Sequence, residues 1–204
     1  MTTPDQEAQT LPAVPDVRCP SCAAVLDPGG EQCENCKLTL RRLDLKFGTI
    51  PRHANYVTDR TERLPIIEVE RAREELRLFE RQFPQSPLSV FVVDLTKGQA
   101  ASEYVFWLAN RGRFGLAEAI GAKNFDLLLL LDTGNRNVAL AAGYGLEGLV
   151  TASQLAGVVD AVAKKLDDEN FAGAVDACID RLSEILRAAS EQSLQSTTPV
   201  PSDV

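Results

Sequence analysis

Four cysteines near the start of the sequence have the spacing of a metal-binding site. Cys19 and Cys22 are separated by two residues, ten residues follow, and Cys33 and Cys36 repeat the two-residue spacing. Two residues between thiolates allow each pair to hold one side of a tetrahedral ion, and the turn sequence "DPGG" at residues 27–30 brings the second pair onto the first. Four thiolates fill the coordination sphere and leave no position for a reactive water. The pattern therefore predicts a structural zinc ion.

The charge around these cysteines bears on what the predicted zinc ribbon binds. Residues 1–40 contain six acidic and two basic side chains, and zinc held by four thiolates adds negative charge. Because such a surface repels phosphate, the ribbon is expected to contact a protein rather than nucleic acid. Two alternatives stay open: a redox-active cysteine pair, for which the strand–helix–strand setting is missing, and a local basic patch formed by Arg41, Arg42, Lys46 and Arg52.

The composition of the whole chain restricts the class of protein. Its 204 residues have room for one domain of ordinary size and a small module. The net charge of −8 argues against a general nucleic-acid binder. No apolar run approaches the roughly 18 residues of a membrane span, and the N-terminal residues carry acids and prolines where a signal peptide has a basic and then an apolar region. We therefore expect a cytoplasmic protein without a membrane span.

Four stretches have the pattern of helices. The first, residues 65–83, has the 3.6-residue period of an amphipathic helix, with one apolar face made by Ala72, Leu76, Phe79 and Phe83. A second helix is expected at residues 101–111. Two more are expected after the N-terminal capping residues Thr151, which has Gln154 at the spacing of a capping box, and Asn170.

Short apolar runs predict the strands that these helices must cover. Residues 88–95 and 126–132 read as buried strands, and the turn "TGN" pairs the second of them with residues 136–143 in a hairpin. The predicted order is helix, strand, helix, strand, strand, helix, helix. Alternating apolar residues at positions 37–48 predict one or two further short strands that finish the ribbon.

These patterns predict a small module followed by a larger domain. The expected boundaries are a disordered leader at 1–16, the zinc ribbon at 17–45, a linker at 46–63, an α/β domain at 64–189 and a disordered tail at 190–204.

The pentapeptide "GYGLE", at residues 143–147, follows the second hairpin strand. Its two glycines permit backbone angles or close approaches that a side chain forbids, Tyr144 can project its ring from the turn, and Glu147 precedes a helix whose dipole favours negative charge. Residues 136–147, "RNVALAAGYGLE", together with the leucine-rich strand before them, resemble the TPM domain family. That family includes thylakoid acid phosphatase-like proteins linked to photosystem II repair and many uncharacterised bacterial proteins. The resemblance covers roughly residues 64–187.

The resemblance implies a three-layer α/β/α sandwich with a small central mixed sheet. In some members of the family it also implies divalent-cation binding and phosphatase activity that depend on acidic residues near the strand ends. This sequence departs from the family pattern in two places. It has Asn124 and Phe125 where the family often has Asp-Asn-Gly before the long apolar strand, and it has "GLVTAS" where the family tends to have an aspartate after the "GLE" turn.

Acidic residues at the predicted strand ends are the candidates for such a site. Asp94 ends the first strand and Asp132 ends the second, and the two share one edge of the sheet if these strands are parallel neighbours. Arg136 and Glu147 complete the set of candidate catalytic residues, and Asp126 is a further acid beside the second strand. The resemblance implies Ca²⁺ or Mg²⁺ as a possible second cofactor at this edge, in addition to structural zinc.

The remaining residues with reactive or aromatic side chains are expected to be structural. The single histidine, His53, falls in the predicted linker. Cys178 lies on the apolar stripe of the last helix, and Trp107 and Tyr104 are expected to be packing residues rather than ligand-binding residues.

Two functions are therefore open. The favoured one is a non-catalytic module that mediates protein assembly or recruitment through a partner protein. The alternative is a divalent-cation-dependent acid phosphatase that hydrolyses phosphomonoesters with the acidic residues at the strand ends.

Overall fold

The computed structural model describes residues 18–27, 29–62, 64–112 and 126–196. Within these ranges the helices are α1 (Leu40–Phe47), α2 (Ile66–Gln82), α3 (Ala101–Arg111), α4 (Ala152–Asp167) and α5 (Phe171–Ser196). The strands are β1 (Val57–Asp59), β2 (Leu88–Val93), β3 (Leu127–Asp132) and β4 (Asn137–Ala142). The predicted leader, residues 197–204 of the predicted tail, and the departure from the family pattern at Asn124 and Phe125 lie outside the described residues.

The four strands form one mixed sheet in the order β1-β2-β3-β4. β1 runs parallel to β2 and β2 runs parallel to β3, whereas β3 and β4 are antiparallel and are joined by a turn at residues 133–136. Every residue of β2 and β3 is buried, because helices cover both faces of this part of the sheet and each face needs apolar side chains. β4 lies at one edge of the sheet and is only partly buried.

Helices pack on both faces of the sheet, so the predicted three-layer sandwich is confirmed. One core holds residues of α2, α4 and α5 together with Leu129 and Leu131 of β3. The other holds residues of α1 and α3 together with Leu128 and Leu130 of the same strand. Successive side chains of a strand point to opposite faces, which explains how one leucine run serves both cores. The predicted order of elements from α2 to α5 is confirmed as well.

The two predicted helix caps are present. The Thr151 hydroxyl accepts a hydrogen bond from the Gln154 N–H at 3.2 Å, and the Gln154 side chain accepts from the Thr151 N–H at 2.8 Å. At the start of α5, the Asn170 side chain accepts from the Gly173 N–H at 2.8 Å. Each cap satisfies backbone donors that the first helical turn leaves without a partner, and so fixes where the helix begins.

The prediction of short strands at residues 37–48 is wrong, because most of this stretch is helix α1. Thr39 caps the helix by accepting from the Arg42 N–H at 3.1 Å, and Gly48, with φ of 75°, ends it. Leu43 is buried at helical spacing from Leu40 and Phe47, which pack against the same core. Leu45, which an alternating strand would also have buried, is 81% exposed.

Two predicted boundaries also differ from the structure. β1 lies inside residues 46–63, which the sequence pattern assigned to a linker, and it forms the other edge of the sheet. A three-residue strand is too short to show a hydrophobic period, so no pattern in the sequence indicated it. α5 continues to Ser196, beyond the predicted end of the domain at residue 189. None of the described helices combines the length and the apolar composition that crossing a membrane requires.

Candidate functional site

The four N-terminal cysteines come together as a metal-binding group. Their sulfur atoms all lie within 4.8 Å of one another, and the Cys19–Cys36 and Cys22–Cys33 sulfur pairs are each 3.6 Å apart. A tetrahedral ion with metal–sulfur distances of about 2.3 Å separates its sulfurs by roughly 3.8 Å. The arrangement therefore fits one ion held by all four side chains.

Two similar turns position these cysteines. In the first turn, the Cys19 carbonyl accepts from the Ala23 N–H at 2.9 Å, and in the second the Cys33 carbonyl accepts from the Lys37 N–H at 2.8 Å. Ala23 and Lys37, each four residues after the first cysteine of its pair, have φ of 58° and 57°. This left-handed conformation is uncommon for residues with a side chain. The two cysteine pairs therefore sit in turns of the same backbone conformation.

The protonation of two of these thiols differs. Burial raises the pKa of the Cys19 thiol to about 12, whereas a hydrogen bond from the Asn35 side chain lowers the pKa of the Cys22 thiol to about 6. Because a metal binds the thiolate, an ion entering this site must displace the Cys19 proton, and binding weakens as the pH falls.

The ribbon and α1 are fixed to α3 by specific contacts. The Ser102 hydroxyl donates to the Pro20 carbonyl at 2.7 Å. The Asp44 carboxylate of α1 accepts from the Trp107 indole at 2.9 Å and from Arg111 at 2.9 Å, and these two donors, the arginine first, hold the pKa of Asp44 below its usual value. Trp107 is completely buried, which confirms its predicted packing role.

More contacts of α1 with α3 follow the same pattern. Lys46 forms an ion pair with the buried Glu103, and the Phe47 ring meets Tyr104 edge-on with ring centroids 4.8 Å apart. The cysteine module therefore has a defined position on the α/β domain.

The acidic residues Asp94 and Asp132 both lie at the carboxyl ends of β2 and β3, on the same side of the sheet, as the sequence predicts for parallel neighbours. Asp132 pairs in register with Val93, the last residue of β2. A side-chain carbon added to Gly134 would lie 3.4 Å from an Asp94 carboxylate oxygen and 3.6 Å from an Asp132 carboxylate oxygen, so both acids flank this turn.

The two acids have different environments. Asp132 is completely buried (0% exposed), and its carboxylate accepts from the Leu95 N–H at 3.0 Å and from the Asn135 side-chain amide at 2.8 Å. That amide also donates to the Leu95 carbonyl at 2.9 Å. Asp94 is exposed and accepts a hydrogen bond from the Thr133 hydroxyl. Asp132 therefore ties the end of β2 to the β3–β4 turn, and only Asp94 faces solvent.

The other candidate residues do not join this edge as a cluster. Arg136, with φ of 53°, forms a salt bridge with Glu169 at 3.1 Å in the α4–α5 connection. Glu147 follows β4, whose last residue, Ala142, pairs with the first residue of β3. Because six strand residues span about 17 Å, Glu147 lies near the amino end of β3, at the opposite end of the strand from Asp132. Asp126 is at that opposite end too, where its carbonyl accepts from the Gly143 N–H at 2.9 Å.

The backbone angles of the first glycine in the "GYGLE" turn do not require glycine. Gly143 has φ of −66° and ψ of 153°, a conformation open to any residue, and residues Tyr144–Leu146 form one 3-10 turn. Tyr144 is 57% exposed and does project from the turn, while Leu146 is buried in the core.

Two residues beside Asp94 and Asp132 were not among the predicted site residues. Thr133 and Asn135 donate hydrogen bonds to Asp94 and Asp132, and the polar turn "DTGN" could have indicated them, since such side chains bond nearby backbone groups.

His53 is half-buried: its Nδ1 lies 2.9 Å from the Thr58 hydroxyl and its Nε2 lies 3.2 Å from the Ser89 hydroxyl. Burial lowers the pKa of His53.

Cys178 is completely buried in α5, and burial raises the pKa of its thiol to about 12. Its prediction as a core residue is confirmed. Among the described residues, the four N-terminal cysteines are the one group of three or more Cys, His, Asp or Glu side chains placed to share a metal ion.

Comparisons with known proteins agree with this architecture. The family model of the TPM domain matches residues 57–185, more than half of the chain. The NMR structure of the BA42 protein from the psychrophilic bacterium Bizionia argentinensis has a TM-score of 0.53 and 13% identity, and the match covers 64% of this chain and 86% of that one. The NMR structure of the N-terminal domain of a protein from P. gingivalis has a TM-score of 0.51 and 19% identity, with 67% and 85% covered. No curated protein matches the sequence.

At these identities the solved structures show a shared fold and nothing finer. The family match begins at Val57, the first residue of β1, so the short edge strand belongs to the domain. With the match extending through the sheet and into α5, the chain belongs to the TPM domain family.

Proposed function

We propose that this chain is a non-catalytic binding module in which a zinc ribbon, fixed to a TPM domain, mediates protein assembly or recruitment. The observation that carries the proposal concerns Asp132, whose buried carboxylate already accepts hydrogen bonds from the Leu95 N–H and the Asn135 side-chain amide. A carboxylate held in this way stabilises the fold. It is not placed to bind a cation together with a substrate phosphate.

The distribution of the other candidates supports this proposal. Phosphoryl transfer needs a nucleophile together with metal ions or cationic groups on the transferring phosphate. Arg136 is engaged with Glu169, and Glu147 is near the opposite end of β3. Asp94 is the remaining acid, and one exposed carboxylate makes a weak cation site.

Zinc is the ion that we propose for the ribbon. Four thiolates at tetrahedral spacing suit zinc better than the hard cations Ca²⁺ and Mg²⁺, which prefer oxygen. A closed site of this kind contributes folding energy and no chemistry. Reduced thiols also suit a reducing compartment such as the cytoplasm, and the negative net charge of the chain favours a protein partner over nucleic acid.

The alternative function, suggested by the likeness to acid phosphatase-like members of the family, has one observation in its favour. Asp94 is exposed at the carboxyl edge of parallel strands, where α/β folds place ligands. It would act there with the Thr133 hydroxyl that contacts it.

One assay separates the two functions. The purified zinc-loaded protein is incubated with p-nitrophenyl phosphate and either Ca²⁺ or Mg²⁺, beside the variants Asp94→Asn and Asp160→Asn. Asp160 is an exposed acid on α4 and serves as the matched control. We expect no turnover above the blank in any sample. Turnover that is lost in Asp94→Asn and retained in Asp160→Asn would replace our proposal with the phosphatase.

A further inference from the structure

A cavity of about 620 Å³ lies between α3 and β4. Its walls include Val105 and Phe106 of α3 and the consecutive residues 138–142 of β4. Alternate residues of a strand point to opposite faces of the sheet, and here Val138 and Leu140 pack against one core while Ala139 and Ala141 pack against the other. A cavity that touches consecutive residues of both kinds must run along the backbone edge of the strand.

That backbone edge has hydrogen-bonding groups that no other strand uses within the described part of the chain. β4 is last in the sheet, and β3 is its one neighbouring strand. The Gly143 N–H is directed to the carbonyl of Asp126, and in an antiparallel pair the backbone groups of alternate residues face the same neighbour. The N–H and C=O groups of Val138, Leu140 and Ala142 therefore face the cavity.

The sequence of β4 does little to protect this edge. Exposed edge strands are usually blunted by charged side chains, proline or a bulge. β4 reads "NVALAA", without charge or proline, and it pairs with β3 over six residues in unbroken register.

A second cavity of about 560 Å³ continues the first toward the cysteine ribbon. Both cavities are bordered by Pro20, Phe106, Asn110, Tyr144 and Glu147. They form one groove, which we call the ribbon groove, from the cysteine turns to the edge of β4. The exposed Tyr144 ring of the family turn lies where the two parts meet.

The charge of the ribbon groove restricts its occupant. Among the described residues that border the groove, one is basic, Arg18, whereas four are acidic, Asp27, Glu31, Asp126 and Glu147. A cationic occupant complements this wall. A second copy of the chain, with its net charge of −8, does not, and neither does the acidic N-terminal segment that precedes Arg18.

We propose that the ribbon groove is a docking site for an extended, basic segment of a partner protein, which adds a strand to β4 and places its cationic side chains against the acidic wall. Main-chain hydrogen bonds to the β4 edge give affinity and the side-chain contacts give specificity, as in other complexes formed by strand addition. This inference rests on the proposed binding function and names the chemistry of the partner.

The test uses a capped seven-residue peptide of alternating valine and lysine with the zinc-loaded full chain. Three matched peptides accompany it: one has glutamate in place of lysine, and the other two are each N-methylated along one of the two backbone edges. We expect the lysine peptide to shift the amide NMR signals of Val138, Leu140 and Ala142. The glutamate peptide should bind at least about tenfold more weakly, as the loss of two or three surface ion pairs implies, and methylation of the pairing edge should abolish binding.

Variants of the protein test the same contact from the other side. Ala142→Pro removes one N–H that faces the groove without removing a bond to β3, and Ala142→Val retains that N–H with similar bulk. We expect the proline variant to lose peptide binding and the valine variant to retain it. If the proline variant does not fold, the N-methylated peptides still decide the question.

Several results would overturn the inference. They are equal binding of the lysine and glutamate peptides, signal shifts away from β4, and the absence of shifts at millimolar peptide. Dimerisation through β4, or hydrogen-exchange protection of the three amides by residues 113–125 in the unbound chain, would mean that the groove is already filled. Failure of the peptide leaves the phosphatase assay unaffected, so the two proposals can fail separately.

Discussion

Replacing Asp132 with asparagine tests the structural role of the carboxylate at the end of β3. Its oxygens accept from the Leu95 N–H at 3.0 Å and from the Asn135 side-chain amide at 2.8 Å, in a completely buried position. Asparagine keeps one acceptor oxygen and replaces the other with an amino group. One of these two donors, the buried Leu95 N–H or the part-buried Asn135 amide, then faces another donor and loses its partner.

The size of the effect follows from these contacts. A hydrogen bond to a charged group contributes about 1.5–3 kcal/mol, and a buried donor without a partner costs about 1–3 kcal/mol. We therefore expect Asp132→Asn to lower the free energy of unfolding by about 3 kcal/mol, which is a large fraction of the about 5–15 kcal/mol that is typical of a domain. Asp94→Asn, at the exposed acid of the same edge, should change it by less than about 1 kcal/mol.

Urea denaturation of the zinc-loaded variants, followed by far-ultraviolet circular dichroism, measures this difference. Asn135→Ala removes the shared amide, and the double variant gives the coupling energy between the two side chains. Equal stability of Asp132→Asn and Asp94→Asn, or independent effects of Asp132 and Asn135, would refute the reasoning.

Three further predictions concern the ribbon, its junction with the domain, and His53. A chelator should release one ion per chain from the proposed metal site and lower the thermal midpoint, because such an ion would hold the cysteine turns that dock on α3. Mass spectrometry of the intact protein counts the ion, and Cys178→Ser should leave the count unchanged. Leu43→Ala should lower the free energy of unfolding by about 2–5 kcal/mol, because it opens a cavity under α1. Urea unfolding measures this loss, with Leu45→Ala at an exposed position as the control. A smaller loss for Leu43→Ala than for Leu45→Ala would contradict the prediction. Burial lowers the pKa of His53 in the folded chain, so the unfolded chain binds the proton first as the pH falls. The contribution of neutral His53 to the free energy of unfolding should therefore be fully present above the unfolded pKa of about 6.5 and decline as the pH falls from there toward the lowered folded pKa. His53→Gln should reduce this decline in thermal midpoint, and an unchanged pH profile would contradict the assignment.

The cysteine cluster could be predicted from the sequence because its information is local. The spacing of each pair sets its own turn, and a ten-residue connection leaves few ways to combine the pairs. The helix caps at Thr151 and Asn170 were equally readable, since each acts on backbone groups within three residues. The layered fold was implied by the resemblance to the TPM domain family, and the leucine run of β3 agrees with it, because a strand that is apolar at consecutive positions needs cover on both faces.

What could not be predicted depends on distant contacts. α1 has an alternating pattern that suits a strand beside local helix signals, the Thr39 cap and the spacing of Leu43 and Phe47, and packing of Leu43 and the Asp44 contacts with α3 decide between the two. The burial of Asp132 depends on the backbone that follows β2, since Leu95 is 37 positions away in sequence.

The junction between ribbon and domain contains its own optical reporter. Trp107 is the only tryptophan of the sequence, and its indole donates to Asp44 of α1 from within α3. Emission from this ring is therefore sensitive to the separation of α1 from α3 while the sheet remains intact. Titrating the protein with a chelator or a partner, and recording tryptophan fluorescence beside circular dichroism, distinguishes detachment of the ribbon from collapse of the domain without any added label.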